Sequence, residues 1–291
     1  MFEKTGAKDT IFSKKRTLNI RGRLETIDEP WVMGILNVTP DSFYDGGQYN
    51  NTDNALRQCD TMLNDGARII DIGASSTRPG AKPLSPQEEI NRLKAPLKAM
   101  RKMFPQAILS VDTFQAEVAR AAADMGADII NDISGGSMDD RMPEVMSEIK
   151  LPYILMHIQG TPQNMQQSPQ YQNTFKEVSH FLSVQIRKFT ELGVADIIID
   201  PGFGFGKSVE HNYELLHHLD NFQLFERPIL VGFSRKSMIN KVLNTTPQNA
   251  LNGTTVLNTL ALTAGADILR VHDVKQAVEA VKIVTFAQNH S

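Results

Sequence analysis

Four times along this chain a helix-like stretch runs out at a glycine and gives way at once to a short aliphatic block: NDGARIID (64 to 71), DMGADIIND (124 to 132), ELGVADIIID (191 to 200) and TAGADILRVHD (263 to 273). Glycine just past a helix end takes the left-handed conformation without a Cβ clash, so each block reads as helix, stop, strand. The aliphatic runs do not alternate with polar residues, the pattern of a strand buried on both faces. Further runs of this kind, WVMGILNV (31 to 38), AILSVD (107 to 112), LPYILMH (151 to 157) and RPILVGF (227 to 233), complete a set of eight predicted strands. Between them lie segments with helical spacing, including PQEEINRLKAPLKAMRKM, QAEVARAAADM, TFKEVSHFLSVQIRKFTEL, TTVLNTLALTA and VKQAVEAVKIV; Pro96 in the first predicts a kink.

Strand and helix alternating through eight rounds predict a parallel sheet with right-handed crossovers. Eight rounds in roughly 250 residues predict an α/β protein of the (β/α)8 TIM-barrel type, one domain over residues 15 to 291. A doubly wound open sheet is the alternative. Residues 16 to 27, RTLNIRGRLETI, alternate weakly around a glycine and predict a short N-terminal hairpin closing the barrel floor. Residues 1 to 14 read as a loose segment.

Composition narrows the partners. The 291 residues, 41% hydrophobic and 22% charged, suit a soluble globular protein, and a net charge of -3 without any Lys/Arg block argues against nucleic-acid and anionic-membrane surfaces. A small-molecule partner is expected. Cys59 is the only cysteine, so no intrachain disulfide or cysteine metal cluster forms; no stretch approaches the roughly 18 apolar residues of a membrane span, and a cytoplasmic address is the expectation.

Each predicted strand ends in polar residues: Asn37, Asp71, Asp112, Asn131, His157, Asp200, then Ser234, Arg235 and Lys236, and last Arg270 and His272. In a barrel these ends share one rim, where such enzymes place their sites. Plainer roles compete at several positions. Asp112 and Thr113 suit a helix N-cap, Asp132 suits a loop that satisfies its own backbone donors, Asp71 suits a brace, and a lone His157 is more often a satisfied buried histidine than a catalyst. Arg270 and His272 alternate along one strand and so are expected side by side at the mouth. The loops NVTPDSFYDGG (37 to 47) and STRPGAKPLSP (76 to 86) are long for connections of this type and read as lids. DPGFGFGKS (200 to 208) has a phosphate-loop look but fits neither glycine pattern, and reads as a tight turn bringing its two phenylalanines toward a flat heterocycle.

Taken in order, MGILNVTPDSFYDGG, STRPGA, SVDTF, IIND, LMHIQGTP, IDPGFGFGK, LVGFSRKS and RVHDV resemble the dihydropteroate synthase family from about residue 30 to 280. The resemblance implies a (β/α)8 barrel, usually a homodimer and a sulfonamide target, that condenses 7,8-dihydropterin pyrophosphate with p-aminobenzoate. It assigns the pterin pocket to Asp112, Asn131, Asp200 and Lys236, with Arg270 flat against the ring. By the same resemblance Asn37 contacts magnesium (Mg2+), and Arg78, Arg270 and His272 meet the pyrophosphate. Phe43, Thr77, Pro79 and Phe205 surround the p-aminobenzoate ring, with Ser234 and the start of the following helix near its carboxylate. Lys236, Arg270, His272 and Asp112 are the expected catalytic set. Ser75 departs from the family, many of whose members carry a larger polar residue there.

The chemistry agrees with such a set: a carboxylate accepts from a pterin's N3 and 2-amino donors, an ammonium donates to O4 and N5, and a guanidinium plane stacks where an ammonium cannot. Pyrophosphate departing under cationic attraction leaves a stabilised cation, which needs no strong nucleophile and so no dedicated general base. Two rivals remain at this point: a methyltetrahydrofolate methyltransferase on a similar barrel, and a non-catalytic pterin-binding homologue.

Overall fold

A computed structural model describes residues 16–38, 48–75, 84–165 and 169–290. Its sheet is built from eight parallel strands: β3 (Trp31–Asn37), β4 (Ile69–Gly73), β5 (Ile108–Asp112), β6 (Ile129–Asp132), β7 (Tyr153–Met156), β8 (Ile197–Asp200), β9 (Leu230–Val231) and β10 (Ile268–Val271). They neighbour one another in the order β8, β7, β6, β5, β4, β3, β10, β9. The two ends then meet, because Ile199 bridges Ile229 in parallel and the Ile199 N–H donates to the Pro228 carbonyl at 2.9 Å. That contact turns an open sheet into a barrel and excludes the doubly wound alternative.

The barrel's lower interior is filled by one aliphatic or aromatic layer. Met33, Ile69, Ile108, Ile129, Ile154, Ile198, Leu230 and Ile268, one from each strand, form a buried cluster with Trp31 and with Leu18, Ile20 and Ile27 of the N-terminal segment. The latter belong to the hairpin β1 (Thr17–Ile20) and β2 (Arg23–Thr26), paired antiparallel, and to the residue just beyond it. The hairpin therefore plugs the floor as expected. Carboxylates tie it down: the Asn19 backbone N–H donates to Asp196 at 3.1 Å, and the Arg21 side chain pairs through Nε with Asp128 at 3.2 Å.

The outer face of the sheet packs on helices α1 (Gln48–Asn64), α2 (Pro86–Met103), α3 (Ala116–Asp124), α4 (Met142–Ile149), α5 (Thr174–Glu191), α6 (Val209–His217), α7 (Ser237–Leu243), α8 (Leu251–Thr263) and α9 (Val274–Asn289). Ser85 and Glu88 close a capping box at the start of α2, satisfying two otherwise orphaned N–H groups. This helix continues through Pro96, which is buried. No helix among the described residues is long and apolar enough to cross a membrane.

Candidate active site

Strand register alone places the polar ends in one row. Asn37 pairs with Gly73, Gly73 with Asp112, and Asp112 with Asn131, across four neighbouring strands, while Asp200 ends β8 opposite Met156. Because all strands are parallel, this row is the barrel's C-terminal mouth. Gly73 keeps the row open: a Cβ there would lie 3.4 Å from the Asn37 side-chain oxygen and 3.7 Å from the Asp112 Cβ.

The side chains converge as well. Arg270 donates through Nε to Asp71 Oδ2 at 2.7 Å and through a terminal nitrogen to Asp112 Oδ2 at 2.8 Å. Asn131 Nδ2 donates to the same Asp71 oxygen at 3.0 Å, which fixes the amide's orientation and turns its carbonyl oxygen away from Asp71. Asp71 is fully buried, and its Oδ1 accepts no hydrogen bond from the described residues. The brace predicted at position 71 is thus the hub joining Arg270 to Asn131.

Opposite this hub stand Asp200 and Lys236. The Asp200 carboxylate accepts the Gly202 N–H at 2.7 Å. Lys236 Nζ donates to the Phe203 carbonyl at 2.5 Å and sits 4.7 Å over the Phe205 ring. Gly232 leaves room between the Lys236 ammonium and the β10 backbone, since a Cβ there would be 3.7 Å from Lys236 Nζ and 3.5 Å from the Arg270 carbonyl. Burial pushes Asp112 up to about 7, against the pull of Arg270 and with the push of Asp71. Burial likewise raises Asp200, with Lys236 opposing, and lowers Lys236 to about 8, with Asp200 opposing. The mouth holds charges that its own counter-charges settle only in part, as expected of groups kept for a ligand.

Several expectations divide here. Thr113, not Asp112, serves the start of the following helix: its hydroxyl accepts the Gln115 N–H at 3.2 Å. Asp132 takes the backbone N–H groups of Ser134 and Gly136 and the Tyr153 hydroxyl, and His157 is buried and hydrogen-bonded, so both have the plainer roles. Arg235 turns away to pair with Asp273 at 2.8 Å. His272 stands past the end of β10, exposed, in a groove with Arg57 and Gln58 of α1. Ser234 is buried with its hydroxyl 2.9 Å from His272 Nδ1, and it also accepts the His272 N–H at 3.1 Å. Helix α7, which follows, is only seven residues long.

One expectation about the glycine-rich turn is corrected. Phe203 does not face a ligand; it is fully buried against Phe233, with ring centroids 4.5 Å apart. Only Phe205 stays near the mouth, resting on the cluster of Ile133, Met156, Ile158 and Met165. Alternation within the turn separates the two rings, and glycines on either side hide that from sequence. The same turn buries Lys207, a lysine that no sequence motif marks as functional. Phe43, Thr77, Arg78 and Pro79 lie outside the described residues, as does most of each predicted lid.

A barrel whose mouth joins carboxylates, an amide and two cations defines a class, the pterin-binding enzymes, and the model of the family described as pterin binding enzyme matches residues 33–272. The chain is 46% identical over 260 residues to the dihydropteroate synthase of Escherichia coli, covering 89% of this chain and 92% of that one. The Synechocystis dihydropteroate synthase is 44% identical, with 87% and 88% covered. A crystal structure of the Yersinia pestis dihydropteroate synthase with a sulfonamide drug superposes with a TM-score of 0.88 at 45% identity, over 94% of this chain and 99% of that one. The Xanthomonas albilineans enzyme with 4-aminobenzoic acid gives 0.87 at 36% identity, with 94% and 98% covered. This chain belongs to the dihydropteroate synthases, enzymes of folate biosynthesis that transfer a dihydropterin group to p-aminobenzoate. The methyltransferase reading is set aside.

Proposed function

We propose that the mouth binds 7,8-dihydropterin pyrophosphate through Asp112, Asn131, Asp200 and Lys236, with Arg270 against the ring, and joins it to p-aminobenzoate to give 7,8-dihydropteroate and pyrophosphate. The observation that carries this reading is the convergence of those five side chains on the barrel mouth, with Arg270, Asn131 and Asp112 joined through Asp71 on one side and Asp200 with Lys236 facing them. A flat heterocycle with donors on one edge and acceptors on the other matches carboxylates facing an ammonium. Lys236 uses one of its three N–H donors on the Phe203 carbonyl, which leaves two to point at the pterin's acceptors.

The C–O bond between the pterin methylene and the pyrophosphate breaks with its electron pair going to pyrophosphate. Arg270 stabilises the growing negative charge, and Arg78 and His272 are assigned with it by family resemblance. The methylene cation is delocalised into the pterin; the arylamine nitrogen then forms the C–N bond and loses its proton to solvent or to the leaving group. Phe205 lines the p-aminobenzoate site, and Phe43, Thr77 and Pro79 complete it by resemblance. The 4-aminobenzoic acid bound to the Xanthomonas relative supports that substrate, and the Yersinia complex supports competition by sulfonamides. Ser234 is assigned beside the carboxylate, where its bond to His272 would have to yield.

Asn37 offers one exposed neutral oxygen beside Asp112, and no group of three or more His, Cys, Asp or Glu able to hold a metal occurs among the described residues. That donor set fits magnesium arriving with the substrate, held by Asn37, phosphate oxygens and water rather than by a resident cage. When bound, magnesium would neutralise charge on the departing pyrophosphate. A homodimer and a cytoplasmic setting complete the proposal; the buried, unpaired Cys59 suits a reducing compartment. A coupled assay for pyrophosphate release tests the activity: release that requires p-aminobenzoate supports it, and pterin binding without release would favour a non-catalytic homologue.

A further inference from the structure

The turn after β8 is held from two sides by lysines. Lys207 is 3% exposed, and its Nζ donates to the carbonyls of Gly202 at 2.9 Å and Phe205 at 3.0 Å while standing 2.9 Å from His157 Nδ1. Three N–H donors meet three acceptors, with the His157 carbonyl a longer fourth at 3.4 Å, so this ammonium has no donor left for a substrate. From the other side Lys236 takes the Phe203 carbonyl. Carbonyls 202, 203 and 205 therefore each face one of the two cations. The turn also lies flush on the segment after β7: a Cβ on Gly202 would sit 1.9 Å from the His157 carbonyl, and one on Gly206 would sit 2.4 Å from that of Gln159. Tyr171 adds a hydroxyl bond to the Gly206 carbonyl at 2.8 Å.

Burial lowers Lys207 to about 7, with Asp200 opposing, yet two carbonyls and a ring nitrogen around one Nζ call for all three N–H donors and so favour the ammonium, whose bonds do what an apolar residue cannot. An apolar side chain at 207 would leave two carbonyls and a ring nitrogen unsatisfied and the turn free to reorient. Burial keeps His157 neutral, with Lys207 reinforcing this, so its Nδ1 is available as the acceptor.

We propose that Lys207 is a positioning residue for the transfer reaction: by clipping the turn to His157 it sets the Phe203 carbonyl and the Phe205 ring against Lys236, aiming that ammonium at the pterin and fixing one wall of the arylamine site. This rests on the assignment of Lys236 and Phe205 made above. The clip acts through the turn, and Lys207 itself touches neither substrate.

The test uses steady-state kinetics and pterin calorimetry on the full-length enzyme, with Lys207→Met, which keeps the apolar stem, His157→Phe, which keeps the ring but removes one acceptor, and Phe205→Ala. For Lys207→Met we expect KM for p-aminobenzoate to rise about tenfold and pterin affinity to fall about threefold, with kcat per folded enzyme within about threefold of the parent. His157→Phe should raise the same KM by about threefold. A purely structural lysine would lower Tm and leave both constants of the folded fraction unchanged, and that result overturns the proposal. If Lys207→Met does not fold, an unchanged KM in His157→Phe overturns it instead. A raised KM in Phe205→Ala alongside unchanged constants in Lys207→Met would sink the clip but spare the arylamine wall; no change in either variant would sink both.

Discussion

Asp112 is under two opposed influences, burial favouring its neutral form and Arg270 at 2.8 Å favouring its ionised form, and burial prevails to leave its folded pKa at about 7 against an ordinary 3.8. Between these values the folded protein keeps a proton that the unfolded chain has lost, so raising the pH favours unfolding. The stabilising proton is fully present below the unfolded value and its contribution is lost as pH rises toward 7. Asn at this position still accepts from Arg270 but does not titrate. Asp112→Asn is therefore expected to gain on the parent by roughly 1 to 3 kcal/mol between pH 4 and pH 8, read from urea melts at each pH. A difference that stays flat with pH would mean that Asp112 is ionised throughout. Asp112, Asn131 and Asp200 were legible in sequence because each closes an aliphatic run, where a polar residue has no reason in packing. Lys207 was not, because its partners are carbonyls and a ring nitrogen brought to it by two separate loops.

Elements followed the same division. The strands could be read from their unbroken aliphatic runs, and even β9, with only Leu230 and Val231 in regular pairing, lies within a predicted run. Helix α1 could not be read as easily: its buried stripe is carried by Ala55 and Cys59, small residues in a sequence rich in Asn, Gln and Thr. Helices α4, α6 and α7 are nine residues or fewer and lack the alanine-rich run that made α3, also nine residues long, readable. The hairpin is the element whose contribution can be isolated, because Leu18 fills the barrel floor at the end opposite the mouth. Leu18→Ala should cost about 2 to 4 kcal/mol in denaturant melts, the range for a cavity in a close-packed core, while leaving both KM values unchanged. A large change in KM without loss of stability would mean that the floor and mouth are coupled in a way that the packing does not suggest.

At the scale of the molecule, large apolar side chains stand exposed on two neighbouring helices. Val256 and Leu260, one turn apart on α8, and Ile283 and Phe286 on the neighbouring α9 are each about half exposed or more. Apolar side chains gathered on adjacent helices suit an isologous contact with a second copy, in keeping with the proposed homodimer. Sedimentation should then give twice the chain mass of 32.4 kDa, and the pair Leu260→Glu and Phe286→Glu should shift it to the monomer. A monomeric parent would leave this face unexplained and the dimer proposal wrong. The whole-molecule architecture was predicted from alternation alone, whereas the use of its mouth depends on whether the convergent side chains act as one pterin site. Calorimetry with 7,8-dihydropterin pyrophosphate tests that claim most directly. Asp200→Ala and Lys236→Ala should each weaken binding by about a hundredfold or more, since each strands a buried partner as well as losing a charged hydrogen bond. Parent-like affinity in both folded variants would contradict the account.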